Sequence, residues 1–231
     1  MTSNNGNTEA WRDALDLEAV VTTRAMRYLK PDPIPEAVLW DILDVAIRGP
    51  SGGNRQGWGW VVVTDAETKA PIAEWYREGW QRAYGNDRER HLSTPAGAGG
   101  LGRANYLSAE HLAMHLEEAP VWVFPVLEGT AESRSPLTGS SIYGAVQNLM
   151  VAARAHGIAS VITSLYGGHE AEVQALLGLP EGARTFALIP MGYPARGEFR
   201  PPRRPPVEGV VHWGRWGERR ERAGSSRFEA S

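Results

Sequence analysis

Apolar residues recur along this chain either at the three-to-four spacing of a buried helix face or in the short dense runs of a buried strand. Behind Pro35, which suits a first helical turn, Val38, Leu39, Ile42, Val45 and Ala46 follow helical spacing until Gly49-Pro50 stops them. Ala66–Tyr84 reads the same way, with Ile72, Trp75, Tyr76 and Trp80 on one side. The strongest pattern spans Ser141–His156. There Ile142, Ala145, Val146, Leu149, Met150 and Ala153 share a face, and Gly157 stands where a C-cap glycine belongs. Further helices are predicted over Trp11–Ala25, Arg103–Glu118 and His169–Leu177. Val- and Trp-rich or continuous apolar runs predict strands at Trp58–Thr64, Val121–Leu127, Ile158–Thr163 and Thr185–Met191.

Between these lie segments without such a pattern. Prolines at 31, 33 and 35 make residues 30–35 an extended link. Asn86–Gly102 is polar and glycine-rich, and a long loop or lid is expected there. The Pro- and Arg-rich stretch Pro194–Pro206 has too little apolar periodicity to fold by itself, so it must lie against something. Strands and helices do not alternate strictly, which favours an α+β fold over a doubly wound sheet. The expected organisation is a disordered tail over 1–10, one domain over 11–213 that includes a C-terminal arm from about 193, and a polar tail over 214–231.

Composition narrows the chemistry. A chain of 231 residues can bury one substantial core. A net charge of −3 gives no bulk attraction for nucleic acid. The absence of cysteine excludes disulfides, thiolate metal sites and a cysteine nucleophile. No basic segment followed by an apolar run opens the chain, and its apolar runs are too short to span a bilayer. A cytoplasmic protein with no nucleic-acid or membrane partner is therefore expected.

Two constellations stand out. Arg24 and Arg27, three apart near a predicted helix end, could chelate a phosphate through charge-assisted bonds, although a solvated surface pair is the simpler reading of these two residues alone. Gly49-Pro-Ser-Gly-Gly-Asn-Arg-Gln56 could offer backbone N–H groups, a hydroxyl and amides to a ring rich in acceptors, although an ordinary helix-to-strand turn has the same composition. Three other patterns lead nowhere. Gly97-Ala-Gly-Gly-Leu-Gly102 spells a dinucleotide fingerprint, but no strand precedes it. His111 and His115 have the spacing of a two-histidine metal site, yet no third ligand suggests itself, and solvated or interface histidines are the simpler reading. No G-x-S-x-G elbow is present.

Taken in order, Arg24-Ala-Met-Arg-Tyr28, Pro33-Ile-Pro35, Pro50-Ser-Gly-Gly-Asn-Arg-Gln56 before Trp60-Val-Val-Val63, Gln147–Ala153 with Gly157-Ile-Ala-Ser160, Gly192-Tyr-Pro194 and Arg203-Arg-Pro-Pro-Val207 resemble the nitroreductase family from about Thr22 to Trp213. The resemblance implies an α+β fold with a mostly antiparallel central sheet flanked by helices, and a homodimer that exchanges its C-terminal arms. It also implies non-covalent FMN, with NAD(P)H as electron donor. Arg24, Ala25 and Arg27 would contact the ribityl phosphate and pyrimidine side, and Arg203, with Arg204, would complete the phosphate clamp. Pro50, Ser51, Gly52 and Asn54 would come from the partner subunit or edge the ring, while Thr163 and Ser164 would lie beside flavin N5. A ping-pong transfer to a small acceptor such as a nitroaromatic or quinone follows, with no obligatory protein acid or base. Non-catalytic flavin storage or sensing, and reductive dehalogenation, are the alternatives. Two positions depart from the family: a serine is common where Ala25 stands, and a proline often follows the glutamine at Gln56, where this chain has Gly57.

Overall fold

The computed structural model describes residues 17–94, 102–133, 135 and 137–223. The chain divides into two compact units, residues 25–198 and the terminal residues 1–24 with 199–231. Those boundaries differ from the single span over 11–213 read from the sequence.

In the larger unit the elements run α2 (Glu36–Ala46), β1 (Trp58–Val63), α3 (Ala66–Tyr84), α4 (Arg88–Ser93), α5 (Arg103–Met114), β2 (Val121–Leu127), α6 (Tyr143–Ala155), β3 (Ala159–Ser160), α7 (Glu170–Leu176), β4 (Arg184–Thr185) and β5 (Ile189–Gly192). α1 (Leu17–Thr22) belongs to the terminal unit. The sheet has the order β1-β2-β5-β3 with β4 also on β2, and every ladder is antiparallel. This is the α+β architecture expected.

β2 sits centrally and all seven of its residues are buried. Its alternation serves two cores. Val121, Val123 and Leu127 join Ile42 and Ala46 of α2 and Val146, Leu149 and Ala153 of α6. On the opposite face Trp122 donates from Nε1 to the Leu116 carbonyl at 3.2 Å, and Phe124 meets Tyr166 edge-on at 5.7 Å. Just after α2 the chain runs so close to α6 that a Cβ on Gly49 would stand 2.6 Å from the Ala145 nitrogen.

Five expectations are corrected. The helix expected to reach Ala25 ends at Thr22, because the next residues are drawn into a sheet: Ala25 bridges Ser160, and the Met26 N–H donates to the Ser160 carbonyl at 3.0 Å. The loop expected over 86–102 contains α4, whose short span shows no apolar period. Side chains hold it instead: Arg88 pairs with Glu110 at 2.8 Å and His91 stacks on Tyr106 at 4.8 Å. Residues 95–101, with most of the glycine motif, lie outside the described residues.

Third, the helix expected over Arg103–Glu118 stops at Met114, with a 3-10 turn at Leu116–Glu118. Fourth, the strand expected over Thr185–Met191 is split, and Pro125 of β2 explains the break. The Phe186 N–H donates to the Pro125 carbonyl at 2.8 Å, but proline has no N–H to return. The unmatched Phe186 carbonyl accepts from the Tyr143 hydroxyl at 3.1 Å instead. The strand expected over Ile158–Thr163 is likewise reduced to Ala159–Ser160 plus an isolated bridge at Thr163.

In the terminal unit, Thr22 donates its hydroxyl to the Glu18 carbonyl at 2.6 Å and Thr23 does the same to Ala19, closing the last turn of α1. The C-terminal segment folds on itself. His212 stacks on Trp216 at 4.1 Å, Arg220 lies 4.5 Å over Trp213, and the Trp213 N–H donates to the Glu218 carbonyl at 2.7 Å. Residues 1–16 and 224–231 lie outside the described residues, and with them the N-terminal tail and the end of the C-terminal one.

Candidate active site

The β3 edge of the sheet gathers several of the residues singled out in the sequence. The segment from Ala25 pairs first with β3, where Ala25 bridges Ser160, and then with the chain just beyond β5: Lys30 N–H donates to the Tyr193 carbonyl at 2.8 Å, and Ala195 N–H to the Tyr28 carbonyl at 2.9 Å. This pairing turns Met26 and Leu29 into the core and leaves Arg27 half-buried. The Arg27 guanidinium donates to the Ser108 hydroxyl on α5 at 3.3 Å and acts electrostatically on the Tyr76 phenol. Tyr76 in turn shares a hydrogen bond of 2.9 Å with the Thr163 hydroxyl. Arg27 and Thr163 are thus brought into one cluster. Ser164 is exposed and its carbonyl accepts from Gly167 N–H at 3.0 Å.

Electrostatically the cluster is short of negative charge. Burial lowers the pKa of Arg27, and among the described residues no carboxylate pairs with it. Burial also raises the pKa of Tyr76, so the phenol keeps its proton.

Within the terminal unit Arg24 shows the same deficit. Its pKa is lowered by burial and then by Arg200, a second cation, and its Nε is enclosed without a hydrogen-bond partner among the described residues. Arg203 and Arg204 are exposed, and Arg204 donates to the Arg203 carbonyl at 3.0 Å. The arm's cation beside Arg24 is therefore Arg200, which sequence reasoning passed over in a stretch full of arginines.

The 50–56 loop is not part of the β3-edge cluster. It leads into β1, the opposite edge of the sheet, three strand spacings or roughly 14 Å from β3. There the Gly52 N–H donates to the Ser141 hydroxyl at 3.2 Å, the Ser51 hydroxyl accepts from the Gln56 N–H at 3.0 Å, and Pro50 packs against Gly144. Gly53, Asn54 and Gln56 all have positive φ, between 51° and 60°. This irregular backbone presents Gly52–Gly57 to solvent.

Ser108 is not singled out in the sequence as a member of this cluster. Tyr76 carries the same helical spacing as the purely structural Ile72 and Trp80, and nothing local marks Ser108. His111 and His115 belong to a ring stack: Arg196 lies 5.2 Å over Tyr28, Tyr28 is 4.3 Å from His111, and His111 is 4.4 Å from His115. No cluster of three His, Cys, Asp or Glu side chains among the described residues could hold a metal ion. A separate groove of about 660 Å³ is bordered by Pro31, Ile34, Lys69, Arg77, Glu117 and Val121. Lys69 there is tied to the Ala119 and Pro120 carbonyls at 2.7 and 2.8 Å. Among the described residues no helix is long and apolar enough to cross a membrane.

The antiparallel sheet thus carries an anion-deficient cluster at one edge and a glycine-rich loop at the other. The family model described as the nitroreductase family matches residues 20–193. The NADH dehydrogenase of Thermus thermophilus is 31% identical over 223 residues, covering 89% of this chain and 99% of that protein. Iodotyrosine deiodinase 1 of Rattus norvegicus is 27% identical over 191 residues, covering 80% of this chain and 64% of that protein. Among solved structures, the FMN and NADPH-dependent nitroreductase NfnB of Sphigopyxis sp. strain HMH aligns with TM-score 0.62 at 21% identity, covering 86% of this chain and 98% of that one. This chain belongs to the nitroreductase family.

Proposed function

We propose that the protein is an FMN-dependent oxidoreductase that takes electrons from NAD(P)H and delivers them to a small conjugated acceptor such as a nitroaromatic or quinone. The observation that carries this reading is the pair of partly buried, uncompensated guanidinia. Arg24 has an enclosed Nε with no acceptor and a second cation beside it, and Arg27 is held by a neutral serine. A partly buried cation without a counter-charge is costly, and a phosphate oxygen against either guanidinium would relieve that cost. The residues present therefore fit the phosphate end of FMN.

In this reading Arg24, Ala25 and Arg27 hold the phosphate and pyrimidine side, with Arg200 beside Arg24 and Arg203 and Arg204 closing from the arm. Thr163 and Ser164 lie along the ring. Pro50, Ser51, Gly52 and Asn54, at the far edge of the sheet, would serve the flavin of a partner subunit in a homodimer with exchanged arms. When bound, FMN would supply the redox chemistry, serving as a two-electron carrier between the reduced nicotinamide and the acceptor. The protein's part is to fix the ring, neutralise the phosphate and exclude bulk water from the reacting face. No side chain is required as an acid or base.

Likeness to the rat deiodinase supports a second reading, in which the acceptor is a halogenated phenol. Two electrons and a proton would then replace the carbon–halogen bond with carbon–hydrogen and release halide. Non-catalytic flavin storage is the third.

Purified protein should carry flavin absorbance and consume NAD(P)H with a quinone. Halide release from an iodophenol without quinone reduction would favour the second reading, and tight FMN without turnover on either acceptor the third. Replacing Arg24 and Arg27 together with Ala should strip the flavin, and a variant still yellow after gel filtration would refute the assignment of the clamp.

A further inference from the structure

Tyr76 is 2% exposed, and its hydroxyl is bonded to the Thr163 hydroxyl at 2.9 Å. The Thr163 backbone is pinned on both sides. Its N–H donates to the Leu188 carbonyl at 3.0 Å, and its carbonyl accepts from the Leu188 N–H at 2.8 Å. A β-branched side chain on a fixed backbone has little χ1 freedom, so the hydroxyl rotor is the main variable left.

The helix that carries Tyr76 is itself held against this segment. A Cβ on Gly79, one turn along α3, would overlap the Leu165 carbonyl oxygen. Trp75 stacks on His169 at 5.4 Å, and Glu78 meets the same imidazole at 2.8 Å. The phenol therefore reaches Thr163 from a rigid platform.

A phenol is a stronger hydrogen-bond donor than an aliphatic alcohol. Either hydroxyl could donate by geometry, and this difference favours the arrangement in which Tyr76 donates and the Thr163 oxygen accepts. The rotor state that aims the Thr163 proton back at Tyr76 is then excluded, and that proton is turned to the outer side of the pair.

We propose that Tyr76 is a positioning residue that, by donating to the Thr163 oxygen, directs the Thr163 hydroxyl proton at the acceptor atoms of the oxidised flavin ring and so sets how strongly the site prefers oxidised over reduced FMN. The proposal rests on the reading that Thr163 lies beside the flavin. It assigns a function to a buried phenol that would otherwise be core packing, and it makes Thr163 act as a donor only in concert with α3.

The test uses the full-length protein and FMN itself. Oxidised FMN is titrated into apoprotein, and the midpoint potential of the bound flavin is measured, for wild type, Tyr76→Phe, Thr163→Val and the double variant. Loss of one oriented hydrogen bond should weaken oxidised FMN roughly two- to tenfold in Tyr76→Phe and raise the potential accordingly. In the Thr163→Val background the Tyr76 substitution should have no further effect on either quantity. Equal effects in both backgrounds, or a Tyr76→Phe protein with wild-type affinity and potential, would overturn the role of Tyr76 while leaving FMN binding intact. A wild-type protein that binds no FMN would overturn the functional reading and this proposal together. Should Tyr76→Phe fail to fold, 3-fluorotyrosine at position 76 keeps the hydroxyl and strengthens it as a donor. It should tighten oxidised FMN and lower the potential, and an unchanged potential would overturn the proposal.

Discussion

Gly79 of α3 faces the Leu165 carbonyl so closely that no side-chain carbon can fit between them. The obstacle is backbone, which cannot rotate aside. Gly79→Ala should therefore cost about 3 kcal/mol or more, since α3 must lift from the 165–169 turn. A urea melt that leaves the midpoint unchanged would show that the approach is not tight. The same lift should loosen FMN, because Tyr76 rides on that helix.

Lys69 is buried at 4% exposure and donates to the Ala119 and Pro120 carbonyls just before β2. Lys69→Met keeps the aliphatic stem and removes the ammonium, leaving two carbonyls short of a donor. A loss of about 1–3 kcal/mol in chemical denaturation is expected. Stability equal to wild type would mean that water takes over both carbonyls.

Tyr143→Phe tests the repair opposite Pro125. The Phe186 carbonyl loses the hydroxyl that replaces proline's missing N–H, for about 1 kcal/mol. Hydrogen exchange should quicken at the Phe186 amide, and unchanged protection there would count against the account of the split strand.

His111 gives a pH dependence. Burial lowers its pKa below the ordinary 6.5, helped by His115 and Arg196 and opposed by Glu118. The unfolded chain then binds the proton more readily than the folded one, so stability rises with pH through the interval below about 6.5 and levels off above it. His111→Phe, which keeps a ring against Tyr28, should lose less of its melting temperature than wild type between pH 7.5 and pH 5.5. Parallel losses would assign the acid sensitivity to other groups.

How much the sequence could tell depended on the range of the forces involved. Helical spacing gave α2, α3 and α6, and the dense apolar run gave β2, because these patterns encode a face that must be buried whatever it is buried against. Where elements are held by distant partners, the local pattern misled. α4 has no apolar stripe and depends on Glu110 and Tyr106, and the strand over 185–191 breaks because of a proline on another strand.

For the candidate site, the sequence by itself determined the residue types: the arginines at 24 and 27, the glycine-rich loop, Thr163, and an order of motifs specific enough to indicate the nitroreductase family. Only the tertiary structure decided which of them meet. Arg27 reaches Ser108 across 81 residues and Tyr76 reaches Thr163 across 87, while the 50–56 loop is held at the other edge of the sheet. Strand order and helix docking, which no local spacing records, bring a buried phenol to a threonine and leave two guanidinia without a counter-charge.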